Sequence, residues 1–340
     1  MRNMDNATGS EKQFVAPDEN RKRHVWIQRV AGYTLAAGGL IWVLHDVHPR
    51  ELLAHLTIRD WRWAVAAIGT DILVFLAQGW RWSLLLSPLG RLRGLRATQA
   101  IYAGLFTNEI LPLHVGELVR TYLVSRWLDV HFITVIPSIA VERLLDGVWL
   151  ALGIGAVAVL VPLPRTIEDG ADIFGVGVLV CASLFAYLVY WKAGHQSSDA
   201  GRFRFLNSAT TSFRQIATSG RLWHASVISL LMLGLQALSF WMVMPAYGLN
   251  LSFWAGAVVF FIVHIGTAIP NAPGNVGTYQ FFTVLGLTLF GIDKPTAAGF
   301  SFVVFFVLTV PLWIIGFFAF SQTGLSFSLL RKEIDRLAFR

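Results

Sequence analysis

Long apolar runs alternate with short polar interruptions along this chain, at the spacing of a bundle of membrane helices. A helix that crosses hydrocarbon needs about 20 apolar residues. Runs near that length fall at 25–44, 63–83, 132–161, 173–191, 225–245, 253–270, 274–290 and 299–320, the run 132–161 being long enough to tilt or to break near its start. Two stretches depart from the pattern. Residues 97–128 are largely apolar, yet the segment FTNEILPLHVGELVRTYLVSR, 106–126, carries Asn108, Glu109, Pro112, His114, Gly116, Glu117, Arg120 and Arg126. Residues 253–290 hold IPNAPGNVG at their centre, 269–277, with Pro270, Pro273, Gly274 and Gly277. Proline removes a backbone donor and glycine weakens a helix. Both stretches are therefore predicted to be helical hairpins, broken at Pro112–Gly116 and at Pro270–Gly277. Broken backbone at membrane depth is tolerated only where protein buries it or a cavity is lined by it. For 106–126 the alternative is an amphipathic segment lying on the cytoplasmic membrane surface.

The pattern predicts an all-α, polytopic integral membrane protein, with about 8 transmembrane helices plus re-entrant broken-helix hairpins. Interrupted segments at corresponding positions of two halves point to an inverted repeat, with halves at about 63–191 and 225–320 of a membrane domain spanning 25–322. Composition agrees. The chain is 55% hydrophobic and 14% charged, with a mean hydropathy of +0.59, where soluble domains run near a quarter charged. Of 13 Trp residues, Trp26, Trp42, Trp61, Trp63, Trp82, Trp191, Trp223 and Trp254 fall near run ends, where interfacial indoles collect. The single Cys, Cys181, excludes an internal disulfide and a Cys-based metal cluster.

The net charge of +7 changes the picture through its placement. With the amino terminus inside, the segments 21–29, 81–96, 192–224 and 331–340 carry 17 Lys and Arg, against 5 in 45–62, 162–172, 246–252 and 291–296. Positive loops stay in the cytoplasm, so both termini are expected there and nucleic acid is not an expected partner. This orientation holds only if 97–128 enters and leaves on the same side; a full crossing would put every later basic loop outside. Residues 1–24 read as a disordered cytoplasmic tail without a signal peptide, 192–224 as a cytoplasmic linker between the halves, and 323–340 as a basic cytoplasmic tail that snorkels at the lipid surface.

Two clusters could carry chemistry. In VERLLDGVW, 141–149, Glu142 and Asp146 stand one i,i+4 step apart on a helix, with Arg143 i,i+3 from Asp146. Both carboxylates then share a face with a guanidinium beside them. Arg offers phosphate a planar fork of donors, so Arg120, Arg126 and Arg143 are candidates for gripping a lipid phosphate. The competing role is an ion-pair network that ties this helix to the hairpin through Arg120 and Glu117. Glu117 could also meet a cationic head group or exchange a proton. His114 is a candidate for titration near neutral pH, although a structural hydrogen bond is the commoner role for such a residue. Asn108 is expected to tie down backbone freed by Pro112, and Asn271 and Asn275 to do likewise in the second hairpin or to offer amide donors to a head group. Asp71, with Gln78 and Arg81 further along, is either a cavity-facing carboxylate or half of a structural pair. The sequence holds no nucleotide-binding glycine loop, no zinc motif and no serine-nucleophile elbow, so neither cofactor nor metal is expected.

Three pieces, in order, carry a family resemblance: Asn108-x3-Pro112-x3-Gly116-Glu117-x2-Arg120, then Glu142-Arg143-x2-Asp146, then Pro270-x2-Pro273-Gly274-x2-Gly277. Across about 60–320 the chain resembles the flippase-like membrane domain family named after the transmembrane region of lysylphosphatidylglycerol synthase. The resemblance implies a bacterial inner-membrane protein that binds lipids and moves them between leaflets. Members act on, or are associated with, aminoacylated phospholipids, polyprenyl-linked sugars or other glycolipids, and hopanoid-related lipids. On the residue reading, Asn108, Glu117, Arg120, Glu142, Arg143, Asp146, Asn271 and Asn275 are the candidate substrate-site residues, and Pro112, Gly116, Pro270, Pro273, Gly274 and Gly277 the expected helix breaks. His114 stands where the family often has Arg, and Gln280 where it often has Glu; these departures loosen the transfer of head-group specificity and argue against a proton-coupled role at Gln280. The soluble aminoacyltransferase domain of the synthase is absent, so lipid aminoacylation is not expected. The rival expectations are a membrane-embedded enzyme using Glu117, His114, Glu142 and Asp146 as acids and bases, and an accessory subunit of a lipid-modifying enzyme.

Overall fold

The computed structural model describes residues 19–45, 47–110, 115–161, 175–180, 183, 187, 211–216, 218–268 and 272–325. Pro112, His114, Pro270, Asn271 and most of the run 173–191 lie outside the described residues, as do 1–18 and 326–340. In chain order the elements are α1 (Glu19–Leu44), α2 (Pro49–His55), α3 (Trp61–Leu85), α4 (Gly94–Ile110), α5 (Gly116–Leu128), α6 (Phe132–Leu160), α7 (Arg221–Tyr247), α8 (Phe253–Ala268), a 3-10 turn (Pro273–Asn275), α9 (Thr278–Thr288) and α10 (Lys294–Ser321). Among the described residues there is no strand, and the all-α, polytopic class is as expected. Residues 19–24 correct one expectation: placed in a disordered tail, they form the start of α1.

Among the described residues, four helices, α3, α6, α7 and α10, are long and apolar enough to cross a membrane. Their outer faces expose Leu73, Leu152, Val159, Leu231, Ile314 and Phe317, apolar surface that lipid rather than water would cover. Local chemistry sets their ends. Asp60 caps α3 by accepting the N–H of Arg62 (2.9 Å), and Asp293 caps α10 by accepting that of Thr296 (3.0 Å). Gly248 stops α7 at φ 103°, a left-handed conformation open to glycine at little cost. Despite Pro137, α6 runs unbroken through 29 residues.

Two apolar clusters occupy opposite ends of the bundle. One joins the end of α3, α4, α5, the start of α6 and the end of α10, around Trp82, Leu85, Ile101, Val119, Val141 and Phe320. The other joins the start of α3, the end of α6, the end of α7, α8, α9 and the start of α10, around Ala67, Leu150, Val243, Phe260, Leu287 and Phe300. The long helices run from one cluster to the other. The hairpin α4–α5 belongs to one end and α8–α9 to the opposite end.

Helix lengths explain why these hairpins stop inside. With 17, 13, 16 and 11 residues, the four arms reach about 25, 20, 24 and 17 Å at 1.5 Å per residue, short of the roughly 30 Å of a hydrocarbon core. Small residues let the arms close up. A Cβ on Gly116 would overlap the carbonyl oxygen of Gly104 across the α4–α5 contact, and a Cβ on Gly277 would overlap the Ala36 carbonyl of α1.

Candidate functional site

Gln78, Arg81, Arg120, Glu142 and Asp146 converge in one largely buried ion network at the α4–α5 end, with the pair Glu117–Arg143 beside it. Arg81 of α3 is fully buried; its guanidinium donates from both Nη atoms to the two carboxylate oxygens of Asp146 on α6, and from Nη1 to Ser229 Oγ of α7 (2.7 Å). Glu142, one turn before Asp146, is also fully buried. Its Oε1 accepts from Arg120 Nη1 of α5 (2.9 Å) and from Gln78 Nε2 of α3 (3.2 Å), and lies 3.5 Å from Arg81 Nη2. Arg120 lies over the Trp82 ring at 4.9 Å, a cation–π platform, and Trp82 is itself held by donating its Nε1–H to Ser138 Oγ (3.0 Å). Arg143, the most exposed member, lies beside this core and pairs with Glu117 of α5 through Nε and Nη2.

Burial grades the network. The side chains of Glu142 and Arg120 are 0% and 5% exposed, those of Asp146 and Glu117 31% and 34%, and that of Arg143 57%. Inside, two guanidinium groups face two carboxylates, so the buried part is neutral, which makes it tolerable at membrane depth. Not every buried polar atom is matched: Nε and Nη2 of Arg120, Nε of Arg81 and Oε2 of Glu142 have no hydrogen-bond partner among the described residues. The arrangement can hold Arg143 at an accessible edge while fixing Arg81 and Arg120 beneath it.

The structure thus brings Glu117, Arg120, Glu142, Arg143 and Asp146 together, with partners that differ from sequence adjacency. Glu117 takes Arg143 rather than Arg120, and Arg120 takes Glu142. Asn108 accepts the N–H of Gly116 (2.6 Å), fastening the two arms of the hairpin on either side of its break. Asn275 takes no part in the ion network; it occupies the second break at φ 57°, beside Gly274 at 68°. Gly277 follows at φ 88°, and its N–H is accepted by Gln280 Oε1 (2.7 Å), which caps α9. Pro273 and Gly274 lie in the 3-10 turn between α8 and α9, and Gly277 immediately precedes α9. Asp71 forms no ion pair among the described residues; it lies near Tyr102 of α4 and Tyr279 of α9.

Sequence reasoning missed three things. Arg81 was counted with the cytoplasmic loop 81–96, but it lies inside α3 and anchors the network. Gln78 and Arg81 stand i,i+3 on one helix face, which was the available signal. Trp82, assigned to the membrane interface, is instead fully buried, whereas Trp42, Trp61, Trp63, Trp223 and Trp254 are exposed as expected. The third is Glu109, at the tip of α4, whose Oε2 accepts from Trp313 Nε1 of α10 (2.9 Å). A Cβ on Gly274 would stand 2.8 Å from that same oxygen, so the tips of both hairpins meet at Glu109.

The family described as the lysylphosphatidylglycerol synthase TM region matches residues 29–316. A UPF0104 membrane protein of Methanothermobacter thermautotrophicus is 21% identical over 295 residues, covering 78% of this chain and 83% of that protein. Glycosyltransferase AglD of Haloferax volcanii is 27% identical over 150 residues, which is 44% of this chain and 24% of that protein. No solved structure matches.

Proposed function

Because the chain belongs to the family of the lysylphosphatidylglycerol synthase TM region, we propose that it is a lipid transporter of the bacterial inner membrane, with both termini in the cytoplasm. It binds an anionic head group, from a phospholipid, a polyprenyl-phosphate-linked lipid or a glycolipid, and moves it between leaflets. The observation that carries this reading is the graded ion network: a neutral buried core that ends in Arg143, a half-exposed guanidinium inside an apolar bundle. A head-group phosphate competes with Glu117 for that fork of donors, while Arg120, Glu142, Arg81 and Asp146 keep α3, α5 and α6 in register around it. The interruptions between α4 and α5 and between α8 and α9 supply the joints for alternating exposure, Asn108 holding the start of α5. Transport on this reading is passive or driven by the proton motive force.

The test is native mass spectrometry of lipids kept by gently purified protein, followed by a leaflet-exchange assay in vesicles. Wild type should retain a discrete anionic lipid that Arg143→Ala loses without unfolding. Retention of bulk membrane lipid, unchanged by Arg143→Ala and by Arg120→Ala, would make the network purely structural. A second reading takes support from the partial likeness to a protein named as a glycosyltransferase: the chain serves a lipid-modifying enzyme as its membrane subunit. Co-purification of such an enzyme, with no lipid movement by the pure protein, would favour it.

A further inference from the structure

Glu109 stands outside the ion network. Its carboxylate ends α4, at the level where the arms of the first hairpin stop and the turn 273–275 of the second approaches. Its partner among the described residues is neutral: the indole N–H of Trp313, 2.9 Å from Oε2. Trp313 is set in turn by an edge-to-face contact with Phe305 at 6.4 Å. Among the described residues, the neighbouring elements offer it no cation. Arg81 of α3 and Glu117 and Arg120 of α5 are taken up in the network. Asp71 of α3 and Tyr102 of α4 lie beside each other. The turn 272–276 carries no ionisable residue, and α10 carries none beyond Lys294 at its first position.

A carboxylate in an apolar setting with one neutral donor is expensive to keep charged, and its neutral form is the cheaper one. Charge decides how strongly it binds, since a hydrogen bond to an ionised acceptor is roughly twice as strong as one to a neutral group. The second hairpin comes close at Gly274, where a Cβ would stand 2.8 Å from that carboxylate oxygen.

We infer that Glu109 is a proton-binding site that latches the two broken hairpins together: ionised, it grips Trp313 against the second break; protonated, it releases the tips. The chemistry is transfer of one proton between water and the carboxylate oxygen, with no other bond made or broken. This assignment rests on the transport reading for its purpose, though not for its existence. It supplies an ion to couple to, at a residue distinct from those that hold a head group.

Full-length protein in vesicles of phosphatidylglycerol and phosphatidylethanolamine provides two separate readouts. The first is labelling by dicyclohexylcarbodiimide, which attacks protonated carboxyls in apolar surroundings, followed by peptide mass spectrometry. Labelling at Glu109 should rise as pH falls, by about tenfold per pH unit on the basic side of its midpoint. Trp313→Phe removes the donor that favours the anion, so the midpoint should move to higher pH, a shift that a merely structural contact would not produce. Labelling that is absent or flat with pH overturns the inference, whatever the lipids do. The second readout is movement of a fluorescent phosphatidylglycerol between leaflets. Wild type should speed up in acid, and Glu109→Gln should run at the acid rate at every pH. A Glu109→Gln variant that keeps the wild-type pH profile overturns the latch. Titrating labels without any lipid movement would support the proton site and sink the transport reading alone.

Discussion

Removing one carboxylate from the buried network gives the sharpest test of what holds the first half together. Wild type sets Arg81 and Arg120 against Glu142 and Asp146, two charges of each sign. Glu142→Gln keeps the shape and removes one negative charge. Arg81 still has Asp146, but Arg120 is left with the Trp82 ring and no counter-ion. Breaking a buried pair on one side costs about 3–5 kcal/mol; Arg120→Met takes one counter-ion from Glu142, which keeps Arg81 at 3.5 Å, and should cost less. The double variant returns to one charge of each sign, so its cost should fall about 2 kcal/mol or more below the sum of the two singles. Glu117→Gln, which breaks the half-exposed pair with Arg143, should cost under about 1 kcal/mol. The assay is reversible unfolding of purified protein in mixed micelles titrated with dodecyl sulfate, followed by circular dichroism. Equal losses for Glu142→Gln and Glu117→Gln, or strict additivity of the double variant, would refute the reasoning, because both would mean the buried charges do not depend on one another.

Other sites give independent checks. Gly116→Ala places a Cβ onto the Gly104 carbonyl, backbone that cannot yield, and should cost about 1–3 kcal/mol or more in the same unfolding assay; an unchanged transition would mean α4 and α5 are further apart. Asn108→Ala strips the acceptor from the Gly116 N–H and should cost about 1–3 kcal/mol, with faster amide exchange at the start of α5 as the direct signature. At Asp293, burial pulls the carboxyl upward, but the hydrogen bonds from Thr296 outweigh it and leave it below the usual range. Such a group stabilises the fold above the ordinary value and loses its contribution as pH falls through the depressed one. The cap of α10 should therefore hold at neutral pH and weaken only below 3.8, and Asp293→Ala should erase that acid dependence and cost about 1 kcal/mol at pH 7.

Periodicity and breakers made the architecture legible. Apolar run lengths gave the four long helices, and the proline and glycine clusters at 112–116 and 270–277 gave both hairpins, since these signals are local. The i,i+4 spacing of Glu142 and Asp146 put both carboxylates on the face that meets Arg81. Pairing across helices was hidden. Nothing near Glu109 in the chain announces Trp313, 204 positions later, and nothing near Glu117 ranks Arg143 above Arg120. Arg81 was obscured by its position close to the end of α3, where a positive residue reads as a loop marker. Trp82 was obscured likewise, because an indole beside a run end looks interfacial until a guanidinium is seen lying on it.

The buried network also makes the order of synthesis a structural matter. Arg81 leaves the ribosome 65 residues before Asp146 and 61 before Glu142. Until α6 exists, its guanidinium has only water and lipid head groups as partners, and a long flexible stem lets it reach them from a helix end. The young α3 thus rests with that end at the membrane surface, and the arrival of α6 draws the charge inward. A nascent chain halted before residue 142 would leave α3 shallow, and its Arg81 open to water-borne reagents that never reach it in the finished protein.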